Sequence, residues 1–178
     1  MKETALFLSS ARKLTFSALF AALCCVGTLV IVIPLPVGYF NAGDVFVLLS
    51  GWCLGPIYGV LAAGLGSALA DVIGGFPVYA LATFFIKALD ALVAYYAYSA
   101  LKTLIKKPFA RTLSAFFGEC CMVLGYFLFE IVLYGIAPAC GALLGNSLQG
   151  IFGAICAVLL VFALRKAKAY KIFPKLDE

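Results

Sequence analysis

The chain contains no histidine, which excludes zinc sites of the usual mixed cysteine–histidine type. None of its seven cysteines (Cys24, Cys25, Cys53, Cys120, Cys121, Cys140 and Cys156) belongs to a CxxC pair. Most sit inside apolar runs, where free cysteine acts as a small packing residue. No G-x-x-x-x-G-K-[ST] phosphate loop occurs, so the chain cannot energise itself with ATP. Charge is scarce as well, at 12% of residues against roughly 25% in a soluble domain. Acid–base chemistry therefore has few players. No catalytic residue, metal or cofactor is expected.

What is abundant is apolar surface. Hydrophobic residues make up 65% of the 178 positions, well above the roughly 45–50% of a soluble domain. A small domain keeps too large a surface to hide them in one core, so the lipid bilayer must be the solvent. A span needs about 20 apolar residues, and the length therefore admits about six or seven crossings at most. No room is left for a soluble catalytic domain. The first apolar run is too long for a signal-peptide core and is expected to remain as a helix.

Proline and glycine punctuate the runs. The expected fold is an all-α integral membrane domain of six transmembrane helices. The spans cover about residues 14–33, 43–54, 57–74, 78–101, 112–136 and 143–164. Pro34-Leu-Pro36 ends the first, and a chargeless loop at residues 35–42 follows. Pro138 marks the turn into the last. The net charge of +5 would suggest nucleic acid only if the basic residues formed a face, and they do not. Lys2, Arg12 and Lys13 precede span one. Lys102, Lys106, Lys107 and Arg111 lie between spans four and five, and Arg165, Lys166, Lys168, Lys171 and Lys175 follow span six. By the positive-inside rule both termini are cytoplasmic. No nucleic-acid partner is expected. Tyr95, Tyr96 and Tyr98 near an inner span end read as an interfacial belt.

Of thirteen basic residues, only Lys87 falls within a span. An ionisable group at the bilayer centre costs roughly 2.5–3.5 kcal/mol on insertion scales, yet Asp44, Asp71, Lys87, Asp90, Glu119 and Glu130 lie in or at the ends of spans. Such residues face the bundle interior and are candidates for function by default. At about 1.5 Å per residue, Asp44, Asp71, Lys87, Glu130, Asn146 and Gln149 come from five spans and converge on the outer half of the bundle. The competing structural reading pairs Lys87 with Asp90 at i,i+3, with Glu130 completing a triad. Glu119 shares a face with Glu130 and reads as a buried structural carboxylate or partner contact.

Small residues form a second pattern. Span three carries Gly55, Gly59, Ala63, Ser67 and Asp71 at steps of four, a stripe that lets helix backbones approach closely. Span one carries Ala18-x3-Ala22 and Ala21-x3-Cys25. Such faces serve internal packing or docking onto another membrane protein.

The run Tyr39-Phe-Asn-Ala-Gly-Asp44, Gly55-Pro56, Gly66-Ser-Ala-Leu-Ala-Asp71, Pro77-Val-Tyr79 and Phe85-Ile-Lys87 resembles the substrate-binding S components of energy-coupling factor (ECF) vitamin transporters. It resembles in particular the riboflavin-type and hydroxymethylpyrimidine-type branch. The resemblance implies a substrate pocket in the outer half, closed by the loop between spans one and two. It also implies that the Ala18 and Ala22 face docks on a transmembrane coupling subunit driven by two ATPase subunits, with delivery by toppling of the S component.

The sequence reading is thus a substrate-binding subunit for a vitamin-like aromatic heterocycle of riboflavin, pyrimidine or pyridoxine type. Tyr39, Phe40, Phe76, Tyr79 and Tyr134 supply flat apolar contact. Asn41, Asp44, Asp71, Lys87, Glu130, Asn146 and Gln149 supply oriented polar groups. The alternative is a stand-alone proton-coupled transporter with Asp71, Asp90, Glu119 and Glu130 as a relay.

Overall fold

Apolar runs long enough to cross a bilayer become single helices in the computed structural model, which describes residues 10–34 and 39–173. The helices are α1 (Ser10–Val30), α2 (Gly43–Leu54), α3 (Tyr58–Ile73), α4 (Pro77–Leu101), α5 (Lys107–Tyr134) and α6 (Ile136–Lys166). Two short strands, β1 (Val32–Pro34) and β2 (Tyr39–Asn41), join α1 to α2. A 3₁₀ turn at Ala169–Lys171 follows α6. Helices α1, α4, α5 and α6 are long and apolar enough to span a membrane. The 12 residues of α2 and 16 of α3 rise about 18 and 24 Å, short of a hydrocarbon core of about 30 Å. Helix α2 is instead an interior post: ten of its residues are buried, and α1, α3, α4 and α6 pack around it.

The all-helical expectation fails locally where α1 ends. Residues 31–33 were expected to continue the first span. Their β-branched run Val30-Ile-Val-Ile33 ahead of a proline favours extended backbone, and Ile33 pairs antiparallel with Phe40. The expected loop at 35–42 is therefore half a β-hairpin; its tip, residues 35–38, lies outside the described residues. At the other end of the bundle α5 starts at Lys107, because Pro108 is tolerated in a first helical turn. The turn into α6 is made by Gly135 at φ 88°, a left-handed conformation open to glycine, and not by Pro138. That proline sits in the first turn of α6, where its missing N–H has no intrahelical acceptor to lose.

The small-residue stripe of α3 is used inside the molecule at Gly59, where an added Cβ would run into the Ser50 carbonyl of α2, and Gly66 on the adjacent stripe serves α1 in the same way. A Cβ added at Gly66 would lie 2.3 Å from the Ala21 carbonyl oxygen, so α1 and α3 meet backbone to backbone. Ala21 and Cys25 turn toward this seam, whereas Ala18 and Ala22 remain exposed. The two small-residue pairs on α1 thus part company, Ala21 with Cys25 facing inward and Ala18 with Ala22 outward. Cys24, Cys25 and Cys53 are buried packing residues, but Cys120 and Cys140 are exposed on helix faces. The tyrosine belt is also divided. Tyr96 is exposed, while Tyr98 is buried with the Arg111 guanidinium 3.7 Å from its ring centre.

Candidate ligand cavity

At the hairpin end of the bundle, five segments close around one cavity. Strand β2 supplies Tyr39 and Asn41. Helix α3 and the turn after it supply Asp71 and Phe76, α4 supplies Tyr79 and Thr83, α5 supplies Tyr126 and Glu130, and α6 supplies Asn146 and Gln149. Local geometry explains each placement. Strand alternation turns Tyr39 and Asn41 to the cavity and Phe40 away, onto Phe152 of α6 at 5.5 Å between ring centres. Gly75 at φ 86° reverses the chain after α3, and the Phe76 N–H donates back to the Asp71 carbonyl at 2.8 Å. Phe76 thereby lies against Tyr39, 4.9 Å between ring centres. Tyr79, Thr83 and Lys87 follow at steps of four, on one buried face of α4.

The polar groups form two layers. In the upper layer the Tyr39 hydroxyl donates to Asp71 Oδ1 at 2.6 Å. Burial, then the Asp71 charge, pushes the Tyr39 phenol above its ordinary range, so it stays a donor. The Thr83 and Tyr126 hydroxyls are bonded at 3.0 Å. Asp71 Oδ2, the Tyr79 hydroxyl, Glu130 Oε2 and Asn146 Nδ2 are buried with no hydrogen-bond partner among the described residues. Buried polar atoms are normally satisfied, so these four atoms mark the cavity as a place for a polar guest.

The lower layer is a floor. Gln149 Oε1 accepts from the Asn41 N–H and side-chain amide, and its Nε2 donates to Asp44 Oδ2 at 2.7 Å. Lys87 donates to Asp44 Oδ1 and forms a fully buried ion pair with it. Asp90 and Glu119 lie beside this pair.

The sequence candidates separate accordingly. Tyr39, Asn41, Asp71, Phe76, Tyr79, Glu130, Asn146 and Gln149 line the cavity. Asp44 and Lys87 sit beneath it, because the ammonium is drawn to the carboxylate across helices and not into the cavity. Nor does Lys87 pair with Asp90 one turn on, and Glu130 belongs to the cavity wall, so the triad of the competing structural reading does not form. Phe40 faces away, and Tyr134 packs at 6.4 Å from Tyr79 at the half-exposed end of α5. Thr83 and Tyr126 line the cavity without having been anticipated. Both lie four residues before a chosen residue, Lys87 and Glu130, on the same helix face.

As it stands the cavity holds about 30 Å³, room for one water, whereas sites for drug-sized molecules run from about 300 Å³ upward.

A family model described as "ECF-type riboflavin transporter, S component" matches residues 8–166. A protein from Pyrococcus woesei, described as an uncharacterized protein in the gap 3'region, is 36% identical over 143 residues. That alignment covers 79% of this chain and 93% of the relative. The solved structure reported as "Structure and mechanism of the S component of a bacterial ECF transporter" shares the fold. It superposes with a TM-score of 0.66 at 23% identity, over 88% of this chain and 96% of that one.

Proposed function

The chain belongs to the ECF-type riboflavin transporter S component family, and from that premise we propose that it captures a riboflavin-type heterocycle in the cavity beneath the β-hairpin. As a membrane-embedded, substrate-binding subunit of an ECF transporter it needs a ligand site and a partner surface. The observation that carries the ligand class is the cavity lining, which alternates aromatic faces with unpartnered polar atoms. Tyr39, Phe76, Tyr79 and Tyr126 offer surfaces on which a flat ring stacks. Asp71 and Glu130 accept from ring N–H groups or chain hydroxyls. Asn146 both donates and accepts, and Asn41 and Gln149 each have a second side-chain N–H to offer beyond their own bonds, which suits ring carbonyls and a hydroxylated side chain.

The hairpin then acts as a lid. Tyr39 leaves Phe76 to admit the ring, and its hydrogen bond to Asp71 re-forms over the bound ligand. With both termini on the cytoplasmic side, the cavity opens outward. The exposed Ala18 and Ala22 face of α1 docks on a transmembrane coupling subunit, because small residues let a partner's backbone come close. Two ATPase subunits supply the energy that this chain lacks a phosphate loop to harvest. Pyrimidine and pyridoxine-type rings are smaller members of the same ligand class.

Fluorescence titration of riboflavin with the purified chain tests the ligand assignment. Saturable quenching at one flavin per chain, weakened by Asp71→Ala and Glu130→Ala, is expected. Absence of quenching, with a pyrimidine or pyridoxine-type compound raising the thermal unfolding midpoint instead, would reassign the ligand.

A further inference from the structure

We propose that Asp44, Asp90 and Glu119 form a binding site for one hard divalent cation of calcium or manganese size, buried below the cavity. The proposal goes beyond the transport reading and does not rest on it. The three carboxylates come from the first turn of α2, the middle of α4 and the middle of α5, and each offers an oxygen within 4.8 Å of the others. Oxygens of one coordination shell at 2.3–2.6 Å from an ion lie at most about 4.6–5.2 Å apart, so three oxygens gathered this closely can share a calcium-sized ion. An all-oxygen carboxylate set selects hard cations.

A cluster of acids is not by itself a site, but here the hydrogen bonding sets two of the three apart. Asp44 is engaged: one oxygen takes Lys87 and the other takes Gln149. Asp90 and Glu119 are as deeply buried, at 0% and 5% exposure. All four of their carboxylate oxygens lack a hydrogen-bond partner among the described residues. Lys87 supplies one positive charge among three carboxylates, so with all three acids ionised, as metal ligands must be, the four groups would sum to a charge of −2. One divalent cation brings that sum to zero where lipid and protein surroundings penalise unpaired charge.

The neighbouring helices leave space for these side chains. A Cβ at Gly118 of α5 would lie 2.5 Å from Asp90 Oδ1, and one at Gly153 of α6 would lie 2.8 Å from Glu119 Oε1. Any larger residue at either place would push a carboxylate aside. Gln149 borders both the cavity and Asp44, so one side chain separates the ligand cavity from the carboxylates.

Manganese binding to the chelator-stripped full chain in nanodiscs, followed by loss of the free-ion electron paramagnetic resonance signal, tests the site. One Mn²⁺ per chain is expected, displaced by Ca²⁺, with affinity at least tenfold weaker in Asp90→Asn and in Glu119→Gln. No saturable binding, or binding unchanged in both variants, overturns the proposal and leaves protons as the neutralising charge. Should a variant fail to fold, the unaltered chain decides the matter. Calcium should raise its thermal unfolding midpoint over that in chelator, by mass action on the folded state, and an unmoved midpoint contradicts the site. Flavin quenching on the same sample keeps the two readings apart. Manganese binding without flavin binding upholds the cation site and contradicts the ligand assignment; flavin binding without manganese does the reverse.

Discussion

Gln149 of α6 and Asn41 of β2 are locked by two hydrogen bonds onto one oxygen, from the Asn41 N–H at 2.9 Å and its side-chain amide at 3.0 Å. Asn41 Oδ1 in turn accepts from the Gly43 N–H at 2.9 Å. The base of the hairpin is thus pinned to the helix that forms the cavity floor. Replacing Gln149 with Leu removes both bonds and leaves Asn41 short of partners. At about 0.5–1.5 kcal/mol per bond, the closed hairpin should lose about 1–3 kcal/mol. Hydrogen exchange at the amides of Asn41 and Gly43 should accelerate accordingly. Exchange as slow as in the unaltered chain would mean that the hairpin is held elsewhere.

The upper latch makes a separate prediction. Tyr39→Phe keeps the ring against Phe76 but removes the hydroxyl that donates to Asp71 at 2.6 Å. A hydrogen bond to a charged group contributes about 1.5–3 kcal/mol, so ligand release should speed up by one to two orders of magnitude. Stopped-flow release of bound flavin measures this. An unchanged off-rate would show that Tyr39 serves only as an apolar wall.

Lys87 sits with its ammonium on buried Asp44, which makes it a structural residue first. Removing one partner of a buried ion pair typically costs about 3–5 kcal/mol because the other charge is left uncompensated. Lys87→Met should therefore lower the thermal unfolding midpoint sharply, and Lys87→Met with Asp44→Asn should recover most of the loss. Equal stability of the single variant and the unaltered chain would show that the pair carries no such weight.

The sequence alone showed much of this, and the rest was hidden for identifiable reasons. Depth along each helix was legible, since residues such as Asp71, Glu130 and Asn146 can be counted from a proline or glycine break. That count brings groups from different helices to one end of the bundle. Direction was harder to read. Phe40 was grouped with Tyr39 and Asn41 because the segment reads as a loop, and only strand pairing reveals the alternation that sends Phe40 outward. The partner of Lys87 lies 43 residues away on another helix, beyond any i,i+3 or i,i+4 rule, so the competing structural reading names Asp90 where the structure has Asp44. Thr83 and Tyr126 are common residues in apolar helices, and nothing in the chain distinguishes them until their neighbours at i+4 are known to face inward. The short helix α2 is legible at its bounds, residues 43–54, but not that its apolar character reflects burial inside protein, since composition does not separate protein from lipid as the apolar neighbour.

With α1 as the proposed docking face, binding and delivery separate on different helices. Ala18 and Ala22 are exposed, whereas Ala21 lies against the backbone of α3 at Gly66. Tryptophan at both exposed positions should hold a coupling subunit's backbone away. Flavin affinity should change less than about threefold, or under ~0.7 kcal/mol, while uptake with the full complex should be nearly abolished. Loss of binding together with uptake would place the docking face elsewhere.

If this chain captures a substrate for a separate ATP-driven module, radiolabelled riboflavin uptake in cells lacking their own transporter depends on that module. Uptake is expected when this chain is produced together with the coupling subunit and two ATPases, and none when it is produced alone. Robust uptake by the chain alone that collapses with the proton gradient would contradict it, and would assign Asp71, Asp90, Glu119 and Glu130 to a proton relay instead.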